Sequence, residues 1–118
     1  MYRIGIDCVE IARMADKAAR EAFVSRVFGS DELSEISARG SKPVNFAVCF
    51  AAKEAFSKAV GTGLSGFRLN EVQLLHESSG RPFFKLSGAA EKYAENVFDV
   101  SVTHTSELVI VTVVMNEV

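Results

Sequence analysis

The sequence contains no tryptophan, and only two cysteines and two prolines among 118 residues. Neither Cys8 nor Cys49 belongs to a C-x-x-C pair, which excludes a zinc site built on paired cysteines, and we expect both to be small buried side chains. Such sparse use of cysteine is typical of a reducing cytosol, and the N-terminus lacks the charged and apolar regions of a signal peptide, so we expect a cytoplasmic protein. The longest apolar run, from Leu108 to Met115, is too short to cross a bilayer.

An excess of positive charge is also missing. The 13 basic and 15 acidic residues give a formal net charge of −2, which excludes a general electrostatic attraction to nucleic acid but leaves room for a local basic patch. The length fits a single domain over residues 1–118, and 48% of the residues are apolar, including nine phenylalanines, which is enough for a substantial core.

The order of the apolar patterns predicts an α+β domain, with helices in the first half packed on an antiparallel sheet in the second. We expect a buried strand over 2–6, helices over 10–28, 31–36 and 45–60, a short strand over 66–70, a hairpin of strands over 71–77 and 82–86, a helical segment over 88–96, and a final hairpin of strands over 98–105 and 108–115. Gly61 is placed to end the longest helix in a left-handed conformation. The near-continuous apolar run of the last strand predicts that both of its faces are buried.

Two acidic residues that are far apart in the chain stand in apolar surroundings. Asp7 ends the first predicted strand, and Glu54 shares one face of the longest helix with Phe46, Phe50 and Lys58. A carboxylate among apolar neighbours is costly to desolvate unless positive charge meets it, and Mg²⁺ is usually held by one or two carboxylates together with substrate phosphate oxygens. The pair therefore favours a shared metal ion and phosphate chemistry. Two simpler interpretations stay open: Asp7 caps a helix that begins near residue 9, or Glu54 forms an exposed ion pair with Lys58.

Several further candidates give only weak signals by themselves. Gly61 and Gly63 permit a close backbone approach to a ligand, although a simple helix stop explains Gly61 equally well. The Arg81-Pro82 pair alone indicates only a hairpin turn. His104 ends an apolar strand face, where a histidine is more often a satisfied core residue than a ligand-binding one.

Four segments carry a likeness to a known family. They are Gly5-Ile6-Asp7-Cys8-Val9-Glu10-Ile11-Ala12-Arg13; Phe50-Ala51-Ala52-Lys53-Glu54-Ala55-Phe56-Ser57-Lys58-Ala59 followed by Gly61-Thr62-Gly63; Gly80-Arg81-Pro82; and Val100-Ser101-Val102-Thr103-His104-Thr105. In this order and spacing they resemble the holo-[acyl-carrier-protein] synthases, the small phosphopantetheinyl transferases of bacterial fatty acid synthesis. The likeness covers nearly the whole chain.

The resemblance implies a reaction and an assembly. Coenzyme A is expected to donate its phosphopantetheine arm to a serine of apo acyl carrier protein, and adenosine 3′,5′-bisphosphate is expected to leave. Mg²⁺ is expected to bridge the diphosphate. Members of the family are typically homotrimers whose active sites lie between subunits.

The resemblance also assigns expected roles in catalysis. Asp7 and Glu54 match the metal ligands, and Glu54 is expected to help deprotonate the attacking serine, directly or through a metal-bound water. Lys58 is expected to meet a phosphate oxygen. Lys53 points away from Glu54 on the helix, and we expect it to be a surface residue or a neighbour of the nucleotide.

The remaining expected contacts lie beside coenzyme A and the carrier protein. The residues expected beside coenzyme A are Gly61, Gly63, Arg81, Pro82, His104 and Thr105. Arg13 and Arg20 are expected to contact the acidic carrier protein, with Arg26 extending the same edge, although a solvated helix face explains Arg20 and Arg26 equally well. His76 has no such support, and we expect a structural or surface role for it.

One position departs from the family pattern. Cys49 stands where an arginine is usual, which removes an expected phosphate contact, and Lys42 or Arg39 in the preceding loop is a candidate replacement. Cys8, where isoleucine is usual, is a conservative change. The departure leaves a second hypothesis open, namely a non-catalytic module that binds the carrier protein but has lost nucleotide anchoring.

Overall fold

The two ends of the chain meet in one antiparallel sheet. The computed structural model describes residues 1–63 and 65–118. Strand β1 (Tyr2–Glu10) and the two strands near the C-terminus, Val97–His104 and Leu108–Asn116, form a three-stranded sheet in which Leu108–Asn116 lies in the centre. Between them in sequence, β2 (Val72–His76) and β3 (Pro82–Leu86) form a separate antiparallel hairpin. The two C-terminal strands are therefore β4 and β5, and the order in the sheet is β1-β5-β4.

Four helices lie between β1 and β2. They are α1 (Ile11–Ala18), α2 (Glu21–Val27), α3 (Ser30–Ala38) and α4 (Pro43–Val60), and two short 3₁₀ segments follow at Leu69–Glu71 and Gly88–Tyr93. Helix α4 begins with a proline at its first position, where the missing N–H costs nothing, and ends at Gly61, whose φ of 83° is the predicted left-handed cap. The α+β class is confirmed, although β1 shows that the sheet is not confined to the second half of the chain.

Close packing of α4 on β1 fixes the centre of the molecule. A Cβ at Gly5 would overlap the Ala55 carbonyl oxygen and the Ala59 backbone nitrogen, so only glycine allows this approach. On the same side of the sheet, the β5 side chains of Val109, Val111 and Val113 are fully buried. A second cluster surrounds Phe56, whose ring packs edge-on or tilted against four other aromatic rings: Phe67, Phe84, Tyr93 and Phe98.

Several predicted elements differ from the structure. The helix expected over 10–28 is broken near Ala19 and Arg20 into α1 and α2, and the strand expected over 66–70 is absent, since the described part of that segment leads into a 3₁₀ turn. β1 runs on to Glu10, so Asp7 lies within the strand, paired with Val111, and does not cap a helix. The final strand is buried on one face and half-buried on the other.

The outer face of β1 is exposed, contrary to the prediction of a buried strand. Side chains alternate across a strand, and Tyr2, Ile4 and Ile6 point away from α4 with exposed fractions of 74%, 67% and 55%. Cys8 follows them and is exposed, so its prediction as a buried residue is wrong, whereas Cys49 is buried as expected. Three consecutive apolar side chains on one open strand face form a contiguous patch of the kind that marks an interaction surface.

None of the helices in the described part of the chain has the length and apolar character needed to cross a membrane.

Candidate functional site

Asp7 and Glu54 face one open pocket between β1, α1 and α4. The pocket has a volume of about 340 Å³, and Glu10, Arg13 and Lys17 also line it. Strand parity turns Asp7 toward α4, where its side chain is 18% exposed, and Glu54 reaches the same space from α4. We call this the acidic pocket. The two carboxylates that are 47 residues apart in sequence therefore converge, as their apolar surroundings predicted.

The electrostatics of the acidic pocket favour a bound cation. Burial raises the pKa of Glu54, the negative charge of Asp7 raises it further, and Lys58 and Lys17 act in the opposite direction. A divalent cation between the two carboxylates would remove this repulsion, and two carboxylates are a suitable protein contribution to a magnesium site completed by substrate oxygens. No group of three or more histidine, cysteine or acidic side chains within residues 1–63 and 65–118 is arranged to hold a metal ion. Two carboxylates leave the remaining metal positions to water or ligand oxygens.

Lys58 lies beside Asp7 rather than Glu54. Its ammonium donates to the Ile6 carbonyl oxygen at 2.8 Å and lies 3.4 Å from Asp7 Oδ1. The exposed ion pair between Glu54 and Lys58, one of the simpler interpretations, is not among the ion pairs of the described residues. Lys58 is 54% exposed, so its ammonium remains accessible to a ligand beside Asp7.

Lys53 is fully buried, and its prediction as a surface residue or nucleotide neighbour is wrong. Its ammonium donates to Glu32 Oε1 and to the carbonyl oxygens of Leu69 and Val72. Glu32, equally buried, also accepts hydrogen bonds from two backbone amides, one of them Leu74 N at 2.8 Å. Burial raises the pKa of Glu32 and lowers that of Lys53, and each partner opposes the shift of the other. The pair joins α3, α4 and β2 rather than facing a ligand.

A second pocket, on the β4 side of α4, carries positive or protonatable groups. Its volume is about 400 Å³, and Arg39, His76, Pro82 and His104 contribute to its lining. The Glu35 carboxylate accepts a hydrogen bond from the His76 backbone N–H at 3.0 Å and lies 3.2 Å from His76 Nδ1. The Nε2 atom of His76 has no partner in the described structure. We call this the basic pocket. It brings together two residues expected beside coenzyme A, Pro82 and His104.

The other residues expected beside coenzyme A have structural partners of their own. Arg81 donates from Nη2 to Asp99 Oδ1 at 2.8 Å, an exposed ion pair that ties β3 to β4. The Thr105 hydroxyl accepts hydrogen bonds from the amides of Glu107 and Leu108 and so shapes the β4–β5 turn.

The two glycines after α4 are explained by backbone conformation. Gly61 and Gly63 both have positive φ, at 83° and 60°, and a Cβ at either would meet nothing within 4 Å. Their side-chain positions are open, and a close approach to a nucleotide stays a prediction.

The acidic and basic pockets lie on opposite sides of α4. Phe50 and Glu54 of α4 line the first, and Val44, Asn45 and Val48 line the second. The sheet shows the same separation, because Asp7 belongs to β1 at one edge and His104 to β4 at the other. One copy of the chain therefore holds Asp7 and Glu54 apart from Pro82 and His104.

The residues expected to contact a carrier protein are exposed on the first two helices. Arg13 lines the acidic pocket and lies 3.9 Å from Glu10, while Arg20 precedes α2 and lies outside both pockets. Cys49 is buried between α3 and α4, where burial raises its thiol pKa well above the usual range. Arg39, one of the two candidate replacements for the missing arginine, does reach the basic pocket; Lys42 is not among its lining residues.

Two residues of these pockets were not identified from the sequence. Lys17 lines the acidic pocket beside Glu54, and His76 lines the basic pocket. The helical spacing of Arg13 and Lys17, four apart on one face of α1, is a signal that could have identified Lys17. No local signal marked His76, since its anchor Glu35 is 41 residues away.

Comparison with known proteins identifies the family of the chain. The family model described as the 4′-phosphopantetheinyl transferase superfamily matches residues 3–113. A holo-[acyl-carrier-protein] synthase of Fusobacterium nucleatum is 33% identical over 107 residues, covering 86% of this chain and 88% of that protein. The crystal structure of the holo-[acyl-carrier-protein] synthase from Neisseria meningitidis has a TM-score of 0.87 and 31% identity, with 98% of each chain covered. A synthase from Bacillus anthracis in complex with CoA (3′,5′-ADP) has a TM-score of 0.81 and 29% identity, over 96% of this chain and 94% of that one.

Proposed function

Because this chain belongs to the 4′-phosphopantetheinyl transferase superfamily, and within it to the holo-[acyl-carrier-protein] synthases, we propose that it transfers the phosphopantetheine arm of coenzyme A to a serine of apo acyl carrier protein in fatty acid synthesis. The observation that carries the proposal is the convergence of Asp7 and Glu54 on one open pocket. A cytoplasmic setting, expected from the cysteine usage, belongs to the same proposal.

The reaction exchanges one bond to phosphorus. The serine oxygen attacks the phosphorus next to the pantetheine arm, the bond from that phosphorus to the bridging oxygen breaks, and adenosine 3′,5′-bisphosphate leaves with the electron pair. The serine proton passes to a base, and we assign this role to Glu54, which lines the acidic pocket. When bound by Asp7 and Glu54, Mg²⁺ supplies positive charge that offsets the charge developing on the phosphate oxygens. Lys58, accessible beside Asp7, orients the diphosphate.

The separation of the two pockets supports a site shared between two copies of the chain. The acidic pocket lies on the β1 side of α4 and the basic pocket on its β4 side, so a neighbouring copy is the source that we propose for the second half of the site. The exposed side chains of Tyr2, Ile4 and Ile6 supply an apolar surface for such a contact. We propose a homotrimer, the assembly expected from the resemblance, in which each head-to-tail interface joins an acidic pocket to the neighbour's basic pocket.

A mass-shift assay tests the transfer directly. Apo acyl carrier protein incubated with the enzyme, coenzyme A and Mg²⁺ should gain the mass of one phosphopantetheine arm, and a chelator should prevent the gain. The conservative variants Asp7→Asn and Glu54→Gln should nearly abolish turnover while the circular dichroism spectrum stays unchanged. Absence of any mass gain with the wild-type enzyme would defeat the proposed function. Calorimetric binding of the carrier protein without binding of coenzyme A would then support the non-catalytic module.

Mixing two inactive variants tests the shared site. Asp7→Asn impairs only the acidic pocket, and the double change Arg39→Ala with His104→Ala impairs only the basic pocket. When the two variants are unfolded and refolded together, random pairing should give intact interfaces at roughly a quarter of the sites, and activity should return to about that fraction of wild type. Each variant refolded alone is the control. If the mixture is no more active than either variant, both pockets of a working site come from one copy.

A further inference from the structure

The acidic pocket contains a cation that the proposed function has not used. Lys17 lines the pocket from the last turn of α1. Its ammonium lies 5.8 Å from the centroid of the Phe23 ring and 5.5 Å from that of Phe50. Both distances are within the range of a cation–π contact, so two rings from α2 and α4 hold the ammonium in place at the pocket wall.

Lys17 forms no ion pair within residues 1–63 and 65–118, although its charge acts on Glu54 from a distance. Among the ion pairs and hydrogen bonds of the described residues, Arg13 is paired with Glu10 and Lys58 with Asp7, whereas the Lys17 ammonium has no carboxylate partner. An ammonium group has three N–H donors and no acceptor, and the aromatic rings satisfy none of the donors as a hydrogen bond does. The ammonium therefore lies against the two rings with its donors available to a ligand.

The charges in the pocket require a second cation. Asp7 and Glu54 carry one negative charge each, which a divalent metal ion balances, and the diphosphate of coenzyme A then adds two further negative charges. Lys58, whose partner Asp7 the metal ion would then neutralise, offsets one of them. Lys17 is the remaining unpaired cation in the described lining of the pocket, and the attraction is worth most in a partly desolvated site.

On the basis of the proposed function, we propose that Lys17 is a further substrate-binding residue whose ammonium donates to the diphosphate of coenzyme A. The aromatic contacts with Phe23 and Phe50 then position the ammonium before the substrate arrives. A different assignment, in which Lys17 contacts an acidic side chain of the carrier protein, predicts a rise confined to the KM for carrier protein.

Titration calorimetry with the whole enzyme in Mg²⁺ tests this assignment, using coenzyme A in one series and inorganic pyrophosphate in the other. Lys17→Met should weaken both ligands by the same factor, about tenfold to a hundredfold, which is the effect of removing one charged hydrogen bond. Lys17→Arg should restore most of the affinity. If Lys17→Met folds poorly, Lys17→Gln takes its place, because it keeps part of the aliphatic stem without the charge, and it should show the same weakening. The matched control is Lys92→Met. The Lys92 ammonium lies 5.4 Å from the centroid of the Tyr93 ring, a similar contact, and Lys92 does not line the acidic pocket. That variant should bind both ligands like wild type.

Three results would overturn the assignment. Unchanged affinity for coenzyme A in Lys17→Met removes Lys17 from the substrate site. Weakened binding of coenzyme A with unchanged binding of pyrophosphate places Lys17 against another part of the substrate. A rise confined to the KM for carrier protein makes it a docking residue. These three results concern the role of Lys17 only and are compatible with transfer by the wild-type enzyme. A wild-type enzyme that transfers nothing would contradict the proposed function itself.

Discussion

Replacing Lys53 by methionine should destabilise the fold severely while touching no residue of the acidic pocket. The variant deletes the only ammonium near Glu32 in the described structure, together with its donations to the Leu69 and Val72 carbonyl oxygens. Both side chains of the pair are 0% exposed, so Glu32 would stay buried without a counter-charge. Breaking a buried pair from one side costs about 3–5 kcal/mol, and methionine fills much of the same volume, so a cavity adds little.

Urea denaturation at a fixed protein concentration measures this cost. With an m-value of about 2 kcal/mol/M, the midpoint of Lys53→Met should fall by about 2 M. The matched control is Lys85→Met, which breaks the exposed pair of Lys85 with Asp31 and should cost less than about 1 kcal/mol. The double variant Glu32→Gln with Lys53→Met removes both charges and should cost less than the single change. If Lys53→Met shifts the midpoint no more than Lys85→Met does, the buried pair does not hold α3, α4 and β2 together.

Three further predictions follow from particular residues. Gly5→Ala should cost at least about 1–3 kcal/mol in urea denaturation, because its Cβ would overlap the Ala55 backbone; a wild-type midpoint would contradict the close approach of α4. Ile4→Lys should reduce the mass measured by light scattering to that of a monomer, since it charges the exposed apolar face; an unchanged mass would place the interface elsewhere. The raised pKa means that Glu54 keeps its proton to a higher pH than an exposed glutamate does. As the pH falls, Mg²⁺ binding should therefore begin to weaken at a pH above the ordinary glutamate range. Calorimetry across pH should show this, and affinity that stays flat down to the ordinary glutamate range would refute it.

The parts of the fold that depend on local chemistry could be predicted from the sequence. The turn residues Ser78-Ser79-Gly80 predicted the hairpin of β2 and β3, in which Gly80 has a φ of 93°. The glycine after α4, Gly61, predicted the left-handed end of that helix. The break between α1 and α2 could not be predicted, because the apolar spacing continues across it and neither glycine nor proline marks it.

The burial of individual side chains was harder to predict. The apolar residues at the start of β1 predicted a buried strand, but they did not show that the chain leaves the face with Ile4 and Ile6 uncovered. Lys53 was assigned to the surface or to the neighbourhood of the nucleotide because it points away from Glu54 on the helix. Its partner Glu32 lies 21 residues away on α3, and no pattern along the chain joins two such distant residues.

The candidate site was predicted in part. Helical spacing and apolar neighbours identified Glu54, and Asp7 was identified as the acidic residue that ends the first predicted strand. The structure places both at the acidic pocket. The position of Lys58 beside Asp7 rather than Glu54 depends on how α4 crosses β1, which follows from the contact at Gly5 and not from spacing along the helix.

Metal binding in the presence of coenzyme A tests the central claim most directly. Calorimetric titration of Mg²⁺ into the wild-type enzyme with coenzyme A should give one site per chain, and Asp7→Asn and Glu54→Gln should each weaken that site by about tenfold or more, the loss expected for a charged ligand. If both variants bind Mg²⁺ as tightly as wild type, the two carboxylates do not hold a common metal ion, and the chemistry proposed for the acidic pocket is wrong.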